Sequence, residues 1–143
     1  KKEPIRQFNV FLIDDSASII YNNMVNSIKK GFQQIVNDVH EANNDGKIEM
    51  YWGISYFGRK NNKYYLVTPS APVLNNYDPR QSGTALNDGI IYAIQKTQEY
   101  LNTIGKANVV FNIFTDGVEN DSISSIEFDF MSFLLILNSY IVH

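Results

Sequence analysis

Phe8-Asn9-Val10-Phe11-Leu12-Ile13-Asp14-Asp15-Ser16-Ala17-Ser18 is the stretch whose reading decides the fold. It is an apolar run rich in β-formers that ends abruptly in two acids and two spaced hydroxyls. A continuous apolar run is what a strand buried on both faces needs, as in a mostly parallel sheet under helices. The polar residues then fall at the carboxyl end of that strand, where open α/β sheets place their ligand sites. Asp14, Ser16 and Ser18 alternate, so an extended or turning backbone can aim three oxygens at one spot. That is the outline of a site for a hard cation.

Downstream the period changes. Met24, Val25, Ile28, Phe32, Ile35, Val36 and Val39 recur at helical spacing between polar residues, which predicts an amphipathic helix running to about His40. Ser16 or Ser18 is the expected N-cap. Gly31 inside this helix costs about 1 kcal/mol against Ala. It reads first as a tolerated defect, with close packing as the alternative. After the turn Asn43-Asn44-Asp45-Gly46, residues 48–58 alternate as a strand, and Arg59-Lys60-Asn61-Asn62 leads back into Tyr64-Tyr65-Leu66-Val67. So short a connection implies an antiparallel hairpin.

Pro69, Pro72 and Pro79 oppose a long helix between residues 69 and 81. Ser82-Gly83-Thr84 then opens a second amphipathic helix with Leu86, Ile90, Ile91, Ile94 and Leu101 on one side, ending near Asn102 or Thr103. Val109 to Phe114 is a second apolar β-rich run, and it too ends in polar residues, Thr115-Asp116-Gly117.

Composition bounds the function. With 143 residues, 44% hydrophobic and 19% charged, the chain has the composition of one globular domain spanning 1–143, with a core at 8–117 and a tail at 118–143. The net charge of -3 and the lack of a Lys/Arg stripe argue against a nucleic-acid partner. Without cysteine there are no disulfides, zinc–thiolate sites or thiol catalysis. Lys1 to Arg6 is charged and has no apolar core of a signal peptide. The apolar stretch from Phe130 to Val142 is shorter than the ~20 residues of a membrane span. A cytoplasmic location is the expectation. The chain does not begin with Met and reads as a trimmed or internal segment.

Asp14, Ser16 and Ser18, Thr84, and Asp116 are hard oxygen donors, each expected at a loop. In this order the pattern resembles the metal-ion-dependent adhesion site of the von Willebrand factor A domain family: Asp-x-Ser-x-Ser, a later Thr, and an Asp within Thr-Asp-Gly. The resemblance covers roughly the first 120 residues. It implies an open, doubly wound, mostly parallel sheet with one antiparallel edge strand and helices on both faces. It also implies that Ser16, Ser18 and Thr84 contact Mg²⁺ (with Mn²⁺ or Ca²⁺ as substitutes), while Asp14 and Asp116 act directly or through water. A hydroxyl-rich shell with few direct carboxylates leaves the cation electrophilic. In the family, an Asp or Glu carboxylate of a protein partner fills its open position. No enzymatic activity is expected, because no general base or activated nucleophile accompanies these donors. Ser82 stands where the family often has a second glycine. Within the family, the lack of cysteine and leader looks most like stand-alone intracellular bacterial members.

Each piece has a simpler reading. Asp-x-Ser-x-Ser alone can be a strand exit with an N-cap, Ser82-Gly83-Thr84 a helix cap, and Thr115-Asp116-Gly117 a turn. The main rival is a phosphorelay receiver domain, whose acidic pair at the end of its first strand is mimicked by Asp14-Asp15. A receiver also needs an acid ending its third strand, and the strand at 48–58 ends Phe57-Gly58. A haloacid-dehalogenase-type phosphatase needs a second Asp where Ser16 stands. His40 and His143 lie at a helix end and the terminus, and read as bystanders.

The family continues for two further strands and helices beyond Thr-Asp-Gly, so the tail is expected to be short or divergent. In the family's strand order, 3-2-1-4-5-6, the strand at 109–114 has a parallel neighbour. A short helix at 121–131 followed by a fifth strand at 133–137 would supply it, with Asn138 and Ser139 turning at its end; a single apolar helix is the alternative. Apolar surface near the tail predicts self-association.

Overall fold

The computed structural model describes residues 5–58, 62–68, 70–83 and 85–115, and the backbone of 135–141. Five strands and three helices lie among them: β1 (Ile5–Asp14), α1 (Ser18–Tyr21), α2 (Val25–Ala42), β2 (Ile48–Phe57), β3 (Lys63–Leu66), α3 (Leu86–Ile104), β4 (Asn108–Thr115) and β5 (Leu135–Ile141). They form an α/β structure around one mixed sheet of order β3-β2-β1-β4-β5. β1 is central and parallel to β2 and β4, β5 is parallel to β4, and β3 pairs antiparallel with β2 at the edge.

The apolar run of β1 is buried without interruption from Phe8 to Asp14, because successive side chains enter opposite cores. Phe11 and Ile13 join Ile28, Phe32 and Val36 of α2 with Trp52 and Ile54 of β2. Phe8, Val10 and Leu12 join Ile90 and Ala93 of α3 with Val109, Phe111 and Ile113 of β4. Helices therefore cover both faces of the sheet. In register, Asp14 lies beside Phe57 of β2, and Ile13 beside Phe114 of β4. The carboxyl ends of the three inner strands are thus flush, and the polar residues that end β1 and β4, Asp14 and Thr115, meet along one edge.

On the α3 face, a buried polar contact replaces part of the expected apolar stripe. Thr97 is fully buried and donates its hydroxyl proton to the Ala93 carbonyl at 2.7 Å. Its single proton being used, the Tyr64 hydroxyl is the donor in the 3.0 Å contact with Thr97 Oγ1. The Tyr64 ring stacks on Tyr100, and burial pushes its phenol pKa well up. Tyr64→Phe removes this one donor and leaves Thr97 still bonded to Ala93. It should cost about 1 kcal/mol, read as a shift in urea midpoint at unchanged slope.

Four expectations are corrected. First, the helix after Ser18 is two helices. Asn23 takes a positive φ of 56°, a conformation Asn tolerates better than most residues. Asn23 N–H donates to Ile20 O and Met24 N–H to Ile19 O, at 3.0 and 2.9 Å, which is the Schellman closure of a helix end. Ile19 and Met24 both enter the core on the α2 side, so packing fixes the break. Second, Ser16 and Ser18 cap neither helix: the N-cap positions are Ala17 and Met24, without side-chain cap bonds. Third, Gly31 is a packing point, since a Cβ there would lie 3.1 Å from the Phe114 ring. Fourth, β5 runs Leu135–Ile141 rather than 133–137, and Asn138 and Ser139 sit inside it, opposite Asn112 and Ile113. Pairing along the whole length of β4 outweighs the turn preference of Asn and Ser. The helix expected at 121–131 lies outside the described residues.

Candidate metal site at the carboxyl edge of the sheet

Asp14 ends β1 completely buried, so its carboxylate must be satisfied within the protein. Oδ1 accepts the Ser16 backbone N–H at 2.8 Å and the Ser16 hydroxyl at 2.5 Å. Oδ2 accepts the Thr115 hydroxyl at 2.9 Å, a contact that follows from the flush register of β1 and β4. Ser16 Oγ lies 3.1 Å from Ser18 Oγ. Because Ser16 donates its only hydroxyl proton to Asp14, the Ser18 hydroxyl is the donor in this contact and Ser16 Oγ the acceptor. Asp14, Ser16 and Ser18 are thus brought together, as the alternating pattern requires. Thr84 and Asp116 lie outside the described residues.

The segment before α3 is fastened onto this loop. Leu74 and Tyr77 are buried in the core on the α2 side, and the Tyr77 hydroxyl donates to the Asp14 carbonyl at 2.5 Å. Gln81 pairs with Ser16 in a parallel bridge: Gln81 N–H donates to Asp15 O at 2.9 Å and Ala17 N–H to Gln81 O at 2.7 Å. The stretch that leads into Ser82-Gly83 is therefore held against the Ser16 loop, while Thr115 abuts Asp14 from the other side.

Asp15 takes a different course from Asp14. Its N–H donates to Phe57 O at 2.8 Å, and its Oδ2 accepts from Gln81 Nε2 at 2.9 Å. The carboxylate lines a cleft of about 560 Å³ between the β2–β3 hairpin and the 70–81 segment, shared with Tyr56, Lys63, Tyr65 and Asp78. Partial burial raises the Asp15 pKa, while the Gln81 bond and the Lys63 charge pull it down. Burial, with Asp15 and Tyr65 nearby, pushes the Tyr56 phenol up to about 12.

Among the described residues, no three acidic or imidazole side chains gather into a metal cluster; the candidate donors brought together are one carboxylate and two serine hydroxyls. Sequence reasoning missed three supports of this set. Thr115 was visible as the hydroxyl preceding Asp116. Tyr77 and Gln81 carried no local signal, since the bonds they make depend on how the 70–81 segment crosses the sheet edge.

No family model matches the chain, and no curated protein matches it. Among the described residues, no helix is long and apolar enough to cross a membrane. Among solved structures, the chain is similar to a pilus adhesin, SpaC from Lactobacillus rhamnosus GG in its open conformation, at 17% identity and a TM-score of 0.53. The likeness covers 83% of this chain and 16% of the adhesin chain, and at that identity it concerns the fold alone.

Proposed function

We propose that this is a domain of von Willebrand A type, a doubly wound sheet whose carboxyl edge holds Mg²⁺ and uses it to bind a protein partner. The single observation that carries the reading is the 3.1 Å separation of the Ser16 and Ser18 hydroxyl oxygens beside the Asp14 carboxylate. Neighbouring ligands of an octahedral Mg²⁺ lie about 2.9 Å apart, √2 times the ~2.05 Å metal–oxygen distance. Two of the candidate donors are therefore close enough to be neighbouring ligands of one cation. Ser16 and Ser18 would hold it, with Thr84 and Asp116 added on the resemblance. Bound there, the cation offers an electrophilic position to an outside carboxylate. Asp14 orients the Ser16 hydroxyl and, through Thr115, ties β4 to the loop. Ile20 and Tyr21, which follow Ser18 on α1, are 37% and 81% exposed and provide apolar contact surface next to the donors, as interfaces favour.

The divergence of the two acids favours this reading over the receiver domain. A receiver turns both members of its acidic pair to one Mg²⁺, whereas here Asp14 is bonded to Ser16 and Thr115 and Asp15 to Gln81. A cation that binds only the folded form stabilises it by mass action, by about 2.7 kcal/mol at a hundredfold excess over Kd. Millimolar Mg²⁺ or Mn²⁺ should accordingly raise the melting temperature. Incubation with acetyl phosphate and Mg²⁺ should leave the mass unchanged. A flat melting response in a folded sample argues against the metal, and a stable acyl phosphate on an Asp would establish the rival.

A further inference from the structure

The Asp14-Asp15 pair places two carboxylates at one strand end, and the structure separates them. Asp14 turns to the β4 side, where Thr115 meets it, and Asp15 to the β2–β3 side. Gln81 is joined to Asp15 twice, by backbone N–H to the Asp15 carbonyl and by Nε2 to the carboxylate, both at 2.9 Å. Its amide also has a built seat. Gly58, just past the end of β2, lies against it so closely that a Cβ at that position would be 2.5 Å from Gln81 Cδ and Oε1. An amide held by backbone, carboxylate and a glycine seat is not free to turn away.

We infer that Gln81 is a positioning residue that holds the Asp15 carboxylate out of the cation's coordination and so keeps the site selective for Mg²⁺ over Ca²⁺. The inference rests on the metal-binding reading above and deepens it. Mg²⁺ demands six ligands in near-ideal octahedral geometry, while Ca²⁺ takes six to eight oxygens and accommodates additional carboxylates. A second carboxylate swinging in would enlarge the donor set and raise its charge, both of which favour Ca²⁺. It would also offset the electrophilicity that lets an outside carboxylate bind.

The test is calorimetric titration of the 143-residue chain with Mg²⁺ and with Ca²⁺, in wild type, Gln81→Met and Gln81→Met/Asp15→Asn. Partners just outside a metal's ligand shell typically change affinity 10- to 100-fold, so Gln81→Met should shift the Ca²⁺-to-Mg²⁺ affinity ratio about tenfold toward Ca²⁺. In the double variant no second charge is left to intrude, and the ratio should return to that of wild type. A role confined to fastening the 70–81 segment would leave the double variant as impaired as the single one, and that result overturns the inference. So does an unchanged ratio in Gln81→Met. If Gln81→Met does not fold, Gly58→Ala displaces the same amide without deleting it and should shift the ratio in the same direction; an unchanged ratio there overturns the inference too. A wild-type chain that binds neither cation overturns the metal reading and this inference together. Wild-type binding with an unmoved ratio overturns the inference alone.

Discussion

Asp14→Asn should abolish the rise in melting temperature expected of the wild-type chain with Mg²⁺, while the cation-free protein should stay folded. The Asn carbonyl oxygen can still accept from Ser16 N–H and the Ser16 hydroxyl, the two contacts now made by Oδ1. Its amide can donate to the Thr115 hydroxyl, reversing the present bond. What is lost is the negative charge that, on the proposed reading, would offset a cation's charge from a fully buried position. Asp14→Ala has a second effect. It removes the acceptor of the Ser16 N–H, the Ser16 hydroxyl and the Thr115 hydroxyl, and losing the acceptor of a buried donor costs about 1–3 kcal/mol. Relief of the buried charge offsets part of this, so the net loss should be about 3 kcal/mol, roughly 10 °C for a domain of this size. Thermal melts with Mg²⁺ and with EDTA check both variants. If Asp14→Asn keeps the full Mg²⁺ response, the carboxylate has no part in cation binding and the site is wrongly placed.

Phe11→Ala should cost about 3–5 kcal/mol, the usual range for emptying an aromatic position in a core. Phe11 is fully buried at the centre of β1. Its ring lies 4.5 Å from that of Phe32 on α2 and stacks parallel to Trp52 of β2 at 6.1 Å. Strand, neighbouring strand and helix therefore lose contact at once. Neither Phe32 nor Trp52 can close the gap without leaving its own packing. Chemical denaturation should show a lower midpoint with little change in slope. A loss below about 1 kcal/mol, typical of surface sites, would mean that the α2 face does not pack as described. Because Phe11 lies in the core among α2 and β2 side chains, whatever folded protein remains should show the Mg²⁺ response expected of wild type, which separates this variant from those at Asp14.

The local chemistry of the chain determined much of this. The run Phe8–Ile13, apolar but for Asn9, suits a strand buried on both faces, and the structure places it at the centre of the sheet. The alternation through Met50, Trp52, Ile54 and Tyr56, and the short link to Tyr64, were enough to predict the antiparallel edge. The 1,3 spacing of Asp14, Ser16 and Ser18 was enough to group their oxygens, since alternate residues fall on one side of an extended or turning backbone.

Contacts between distant residues decided the rest. Two adjacent acids look alike in sequence. Asp14 turns inward because the β1–β4 register brings Thr115 to it, and Asp15 turns outward to the Gln81 amide, which is itself seated against Gly58. The helical spacing from Met24 onward does not register the break at Asn23, which the shared burial of Ile19 and Met24 selects. Gly31 looks like a defect until Phe114, on a strand far along the chain, is seen to fill the space beside it. Asn138 and Ser139 favour a turn when read alone, but the backbone groups of β4 need partners, and pairing along its whole length carries the strand through both. Local propensities are worth tenths of a kcal/mol to about 1 kcal/mol per residue, whereas burial and satisfied hydrogen bonds in a packed sheet are worth more. That difference is why tertiary structure overrides the local reading at these positions and leaves it intact in β1.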